Sequence, residues 1–174
     1  MLGEVLEDRS VRYHVIIAGG SALLLAGEAR RPTQDVDVVA LAVEGQPLRS
    51  NWQLPEELTR AVRDVASTLG LAPDWLNAGA VAVVGDDLPD GYRDRLRTVG
   101  FGNLTVSVLG RLDLLSLKVL AAFDEGAASR HMQDIRSMRP STDEIHAAYS
   151  WAAGRRHPED PLVADIANVL GLAP

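Results

Sequence analysis

Residues 14–37 read HVIIAGGSALLLAGEARRPTQDVD, and two features inside this stretch decide the fold. His14 to Ala18 is a β-branched apolar run that stops at a Gly-Gly pair, which predicts a buried strand ended by a turn. Ser21 to Glu28, rich in alanine and leucine, predicts a helix, so the local order is strand, glycine turn, helix. The second feature follows a break at Arg30 to Thr33. From Asp35 to Leu41 the chain opens with acid and valine in alternation, the period of a strand with one wet and one dry face, so Asp35 and Asp37 point the same way.

Gly19 and Gly20, set between strand and helix, would offer backbone N–H groups where a helix begins, a place that favours phosphate, and Ser21 adds a hydroxyl donor. The same pair would serve equally as a tight turn that needs glycine for its backbone angles. No Gly-Lys-Ser/Thr follows, so this is not a Walker loop, and the three-glycine dinucleotide fingerprint is absent. Asp35 and Asp37 would lie about 7 Å apart along a strand, close enough to repel unless a cation neutralises them, and that spacing suits a pair of magnesium ions. Taken alone, Asp-x-Asp also describes an ordinary solvated strand face. Context joins the two features: Gly20 precedes Asp35 by fifteen residues, about one helix, so adjacent strands could present phosphate cradle and metal site together. Arg30, Arg31 and Thr33 lead into the acidic strand, where either arginine could meet a phosphate.

Outward from this centre, Pro55 and then Leu58, Val62, Val65, Ala66 and Leu69 at helical spacing predict a helix closed by Gly70. Ala80 to Val84 and Leu104 to Leu109 are two further strand candidates, separated by a polar surface loop with Asp86, Asp87, Pro89 and Gly91, for a sheet of four or five strands. From Arg111 the period becomes helical: Leu112 to Phe123, Ser129 to Met138, a helix opened by the capping box Ser141 to Glu144, and Pro161 to Leu170 ended by Gly171. Gly154 to Pro161 reads as a hinge before the last helix. The expected fold is α/β, a small mixed β-sheet core over residues 1–110 with a C-terminal helical module, residues 111–174, packed on it.

The 174 residues are 47% hydrophobic, enough for a core. The formal net charge of −7 repels polyanions, so an RNA or DNA partner must be held locally. The lack of cysteine excludes a disulfide framework, a thiolate metal site and a cysteine nucleophile. The N-terminus carries acids where a signal peptide needs a basic region, and no apolar run approaches the ~20 residues that span a bilayer, so a cytoplasmic protein without a membrane partner is expected.

The blocks GGSALLLAG (19–27) and RPTQDVDVV (31–39) resemble the nucleotidyltransferase superfamily of DNA polymerase β type, whose signature is a Gly-Gly or Gly-Ser turn followed by an Asp-x-Asp or Asp-x-Glu strand. Within it the chain looks closest to the small bacterial AbiEii-like group, which includes toxins of the MenT kind, over roughly residues 14–138. The resemblance implies transfer of a nucleoside monophosphate from a nucleoside triphosphate to a hydroxyl of RNA, such as tRNA, or of protein. It implies Mg2+ on Asp35 and Asp37, phosphates on Gly19, Gly20 and Ser21, and, for a toxin, an antitoxin protein as partner. Lys118 shares a helix face with Leu114, Leu115, Ala121 and Ala122, which suits a snorkelling rim lysine, whereas the resemblance implies that it faces the nucleotide's phosphates. Asp134 lies four residues after Arg130 and three after His131, which a local ion-paired face explains, while the resemblance gives it an active-site role near the metals or Lys118. His131 itself reads as a surface histidine. One departure stands out: active members supply a third carboxylate from a later strand, and neither later strand candidate holds one, leaving Asp74 as the nearest. Without that acid a nucleotide could still bind but the attacking hydroxyl would lack its base, so the alternative is a catalytically degenerate nucleotide- or protein-binding module.

Overall fold

A computed structural model describes residues 1–28, 32–46, 49, 53–81, 88–157 and 159–172. The chain divides into two units, Met1–Leu109 and Gly110–Pro174. The first runs α1 (Leu2–Asp8), β1 (Tyr13–Ala18), α2 (Gly19–Leu25), β2 (Val36–Val43), α3 (Glu56–Leu69), β3 (Leu76–Asn77), a 3₁₀ turn (Tyr92–Arg95), β4 (Arg97–Phe101) and β5 (Leu104–Val108). Its strands form one mixed five-stranded sheet in the order β3-β2-β1-β5-β4. The expected α/β class and mixed sheet are thus observed.

The central strand β1 runs antiparallel to β2 and parallel to β5, and residues 15–18 are all buried, as their unbroken apolar run requires. Between Ile16 and Ile17 the register with β2 shifts: Ile16 faces Ala40 but Ile17 faces Val38, so Val39 is an extra residue in a β-bulge. Helix α3 buries Leu58, Ala61, Val62, Val65 and Ala66 along one stripe and ends at Gly70 in the left-handed conformation, φ +68°. Full burial of each Leu or Val contributes about 1.5–3 kcal/mol.

The expectation of a strand at Ala80 to Val84 is corrected where the structure describes it. Ala80 lies in a turn and the Val81 N–H bonds the Ala78 carbonyl at 3.1 Å, a local pattern rather than a ladder. Residues 82–84, like Asp86 and Asp87 of the expected loop, lie outside the described residues. The sheet is completed instead by β3 and by β4, whose five residues are all exposed. A strand exposed along its whole length has no burial alternation for the sequence to display. Its order comes from the antiparallel ladder to β5.

The second unit contains α4 (Arg111–Glu125), α5 (Arg130–Met138), α6 (Thr142–Ala153) and α7 (Pro161–Leu170). Helix α4 touches each of the other three and buries ten of its fifteen residues, Asp113, Ser116 and Lys118 among them. Ser129 caps α5 by accepting from the Met132 N–H, and the Ser141/Glu144 capping box opens α6 as expected. Glu144 also accepts from the Arg111 guanidinium at 2.8 Å, while Arg111 donates to the Met138 carbonyl at 2.6 Å, tying the start of α4 to the α5–α6 corner. Among the described residues no helix is long and apolar enough to cross a membrane.

Candidate active site

In the first unit the structure brings the glycine turn and the acidic strand together. Ala18, the last residue of β1, is the register partner of Asp37 on β2, so the chain turns into Gly19 directly beside that carboxylate. Gly19 has φ +70°, and a Cβ there would sit 1.9 Å from Asp37 Oδ2. The close approach and the backbone angle therefore both require glycine. A Cβ on Gly20 would meet Thr33 Oγ1 at 2.9 Å, and that hydroxyl donates to Asp35 Oδ1 at 2.9 Å. Turn, threonine and acids form one contiguous surface, with Asp35 exposed and Asp37 half-buried. The bulge sets which side they face: an unbroken ladder would pair Ala18 with Val38 and turn both carboxylates to the other face of the sheet. Ser21 is buried, and its hydroxyl donates to the Ala18 carbonyl at 3.4 Å. Arg30 and Arg31 lie outside the described residues.

The donor atoms here are oxygens only, which fits magnesium, an ion that takes one or two protein carboxylates and fills the rest of its octahedron with water and substrate phosphate. Among the described residues no group of three or more His, Cys, Asp or Glu could hold a metal. A cation on Asp35 and Asp37 would therefore depend on phosphate oxygens for much of its shell. The neighbouring strand explains why. β3 runs parallel to β2 and sets Asn77, not an acid, beside Asp37. Asn77 Oδ1 accepts from the Gly79 N–H at 2.8 Å and its Nδ2 donates to the Asp74 carbonyl at 3.3 Å, while the Asp74 residue itself is exposed. A two-residue strand is too short for periodicity, so the sequence points to Asp74 and misses Asn77.

The sequence also misses a polar row on the sheet. His14 Nε2 lies 2.7 Å from Ser107 Oγ, which lies 2.6 Å from Thr98 Oγ1. Burial pushes the His14 imidazole below its ordinary value. The row supplies hydrogen bonds to Ser107, which has no exposed surface.

The second unit holds the other two site candidates. Lys118 Nζ on α4 and Asp134 Oδ2 on α5 lie 2.8 Å apart with side chains only 8% and 5% exposed. Lys118 is therefore a buried, paired cation and not a rim lysine. His131 and Arg130, which the local spacing offered to Asp134, reach Glu125 at the end of α4, at 3.1 and 3.9 Å. Nor is His131 a surface residue: its Nδ1 is buried without a hydrogen-bond partner among the described residues. Burial first and the Lys118 ammonium second push the imidazole down, against the opposing pull of Glu125.

The family described as "Nucleotidyltransferase of unknown function (DUF6036)" matches residues 2–139. The chain belongs to this family. The match takes in the glycine turn, the acid pair and the Lys118–Asp134 pair, and it ends as α5 does. No curated protein and no solved structure matches the chain. A nucleotidyltransferase acts on a nucleotide substrate.

Proposed function

We propose that this nucleotidyltransferase moves a nucleoside monophosphate from a nucleoside triphosphate to an acceptor hydroxyl. The hydroxyl oxygen forms a bond to the α-phosphorus, the bond to the bridging oxygen breaks, and pyrophosphate leaves. The observation that carries the reading is Asp37 lying against Gly19, which makes the glycine turn and the carboxylate pair a single surface. Gly19 and Gly20 approach the triphosphate with bare backbone, Ser21 supports the turn, and Asp35 and Asp37 hold Mg2+. Bound magnesium would neutralise the charge that grows on the phosphate oxygens during displacement. The carboxylates fix where that charge is met, and such preorganised electrostatics supply most of the rate in phosphoryl-type transfer. Lys118 and Asp134 enter the proposal from the resemblance, Lys118 as a positive charge for the phosphates and Asp134 as the residue that holds its ammonium. The narrower AbiEii-like identity, a toxin role and an antitoxin partner belong to the same proposal.

A second reading, a degenerate module that binds nucleotide without turning it over, is favoured by Asn77 at the place beside Asp37. An amide cannot take the proton of the attacking hydroxyl. The deciding experiment incubates the protein with each nucleoside triphosphate labelled on its α-phosphate, magnesium and total cellular RNA. Label on RNA or protein that is lost with Asp35→Asn and Asp37→Asn supports transfer. Magnesium-dependent thermal stabilisation by triphosphate without labelled product supports the degenerate module. In that case Asn77→Asp is expected to create transfer where the native chain has none.

A further inference from the structure

The β4 edge of the sheet carries a definite pattern of hydrogen-bonding groups. Tyr13 donates its N–H to the Asn103 carbonyl at 3.1 Å and Leu109 donates to the Ile17 carbonyl at 3.5 Å, so the odd-numbered residues of β5 serve β1. Leu104, Val106 and Val108 therefore serve β4, through their partners Phe101, Val99 and Arg97. That leaves the N–H and C=O groups of Thr98 and Gly100 turned outward, along a strand whose five residues are all exposed. Arg97, Val99 and Phe101 share one face, where Val99 is 54% and Phe101 55% exposed. Helix α1 lies against the hairpin tip: the Asn103 N–H donates to the Gly3 carbonyl at 3.4 Å, and Glu7 Oε2 lies 3.4 Å from where a Cβ on Gly102 would stand. Among the described residues neither Glu7 nor Arg97 has an ion-pair partner in its own chain.

We infer that β4 is the interface through which two copies of this chain pair, antiparallel and about a two-fold axis at Val99. Only the register that sets Val99 opposite Val99 of the second copy matches all five residues of one strand with all five of the other. In that register Thr98 and Gly100 of each copy exchange N–H···O=C bonds with Gly100 and Thr98 of the other, so every outward donor and acceptor of the two strands is used. The two valines form the close, non-hydrogen-bonded pair, with Cα atoms about 4.5 Å apart. Arg97 comes to lie across from Phe101 of the second copy, where a guanidinium on a ring face is favourable, and one residue from the tip at which Glu7 of that copy stands. The charge match occurs once at each end, which a second copy supplies and a single added peptide strand does not. Pairing joins two five-stranded sheets into one of ten. Five residues a side make a small interface, so the dimer exchanges readily, with a dissociation constant on the order of 10–100 µM.

Sedimentation velocity of the full chain, from about 5 to 500 µM, is expected to move the mean sedimentation coefficient from the monomer value toward the dimer value. Val99→Lys sets two like charges directly opposite each other and should raise the dissociation constant roughly tenfold. Arg97→Glu should weaken pairing as well, and Arg97→Glu with Glu7→Arg should restore it, because the charges are exchanged at both ends. The chain has no cysteine, which permits a second readout. Val99→Cys is expected to form a disulfide-linked dimer under mild oxidation, since the two-fold gives the Cα separation a disulfide needs, while Leu25→Cys, exposed on α2, stays monomeric. All of these side chains are exposed, so an unchanged melting temperature reports an intact fold. A chain that stays monomeric throughout overturns the interface and leaves the edge to a strand of another protein. A dimer that Val99→Lys does not weaken, or equal cross-linking of the two cysteine variants, overturns it too. None of these readouts involves nucleotide, so the outcome is independent of the transfer reaction.

Discussion

Asp35 and Asp37 stand at the open end of a sheet, whereas Lys118 and Asp134 are closed away between two helices. The contrast teaches how the same kind of group is made tolerable in two ways. Asp35 is exposed and Asp37 only half-buried, so the acid pair keeps much of its water and costs the fold little. A buried charge has lost its water and is stable only while its partner is present. Substitutions should therefore act mainly on stability in the helical unit and mainly on binding in the sheet unit.

The sharpest way to break this contrast is Asp134→Ala, which strands the Lys118 ammonium and is expected to cost about 3–5 kcal/mol in urea unfolding. Lys118→Met combined with Asp134→Leu should recover most of that loss, because an apolar pair of similar volume replaces the ion pair. If the recovered variant also keeps full transfer activity, Lys118 has no part in the chemistry. A loss nearer a few tenths of a kcal/mol for Asp134→Ala would show that the pair is not closed off.

Next in size comes Gly19→Ala, where a left-handed backbone angle costs about 1–2 kcal/mol and the clash with Asp37 adds to it. Gly27→Ala is the control: its φ is +76° but nothing lies within 4 Å of the added Cβ, so only the backbone cost applies. Equal midpoints for the two variants in chemical denaturation would mean that Asp37 is not held against the turn.

A smaller effect is expected from pH. The folded chain holds His131 and His14 below the ordinary 6.5, so the unfolded chain takes up the proton first. Stability is then full above that value and falls as pH drops through it toward the lower folded value. His131→Gln should flatten part of the decline between about pH 7.5 and pH 5.5, and an unchanged pH slope would place the sensitivity elsewhere.

The smallest effect on stability belongs to Asp35→Asn with Asp37→Asn, within about 0.5 kcal/mol of the native chain or slightly more stable, since repulsion is relieved. The same variant should lose all stabilisation by magnesium triphosphate in a thermal melt. Unfolding of the double variant would make the acids structural and erase the contrast.

What the sequence displays depends on how far burial is written into its period. The apolar run of β1, the acid–valine alternation of β2, and the capped helices α3 to α7 each repeat long enough to be legible, and Lys118 stands out because apolar neighbours surround it on its helix. Helix α1 offers little besides Leu2 and Leu6, and β4 is exposed on both faces, so neither has a period to detect. Asn77 matters through the strand it lies beside, and Glu125 through the histidine it meets across a helix junction. Pairings of this sort are set by register and packing, which a linear reading does not contain.

The bulge at Val39 also carries a consequence for how this protein can vary. One residue added or lost near that point in β2 leaves the composition nearly the same, yet it toggles the side of the sheet from which the carboxylates emerge. Loops elsewhere can lengthen by drift, but here chain length itself decides which face of the sheet Asp35 and Asp37 occupy.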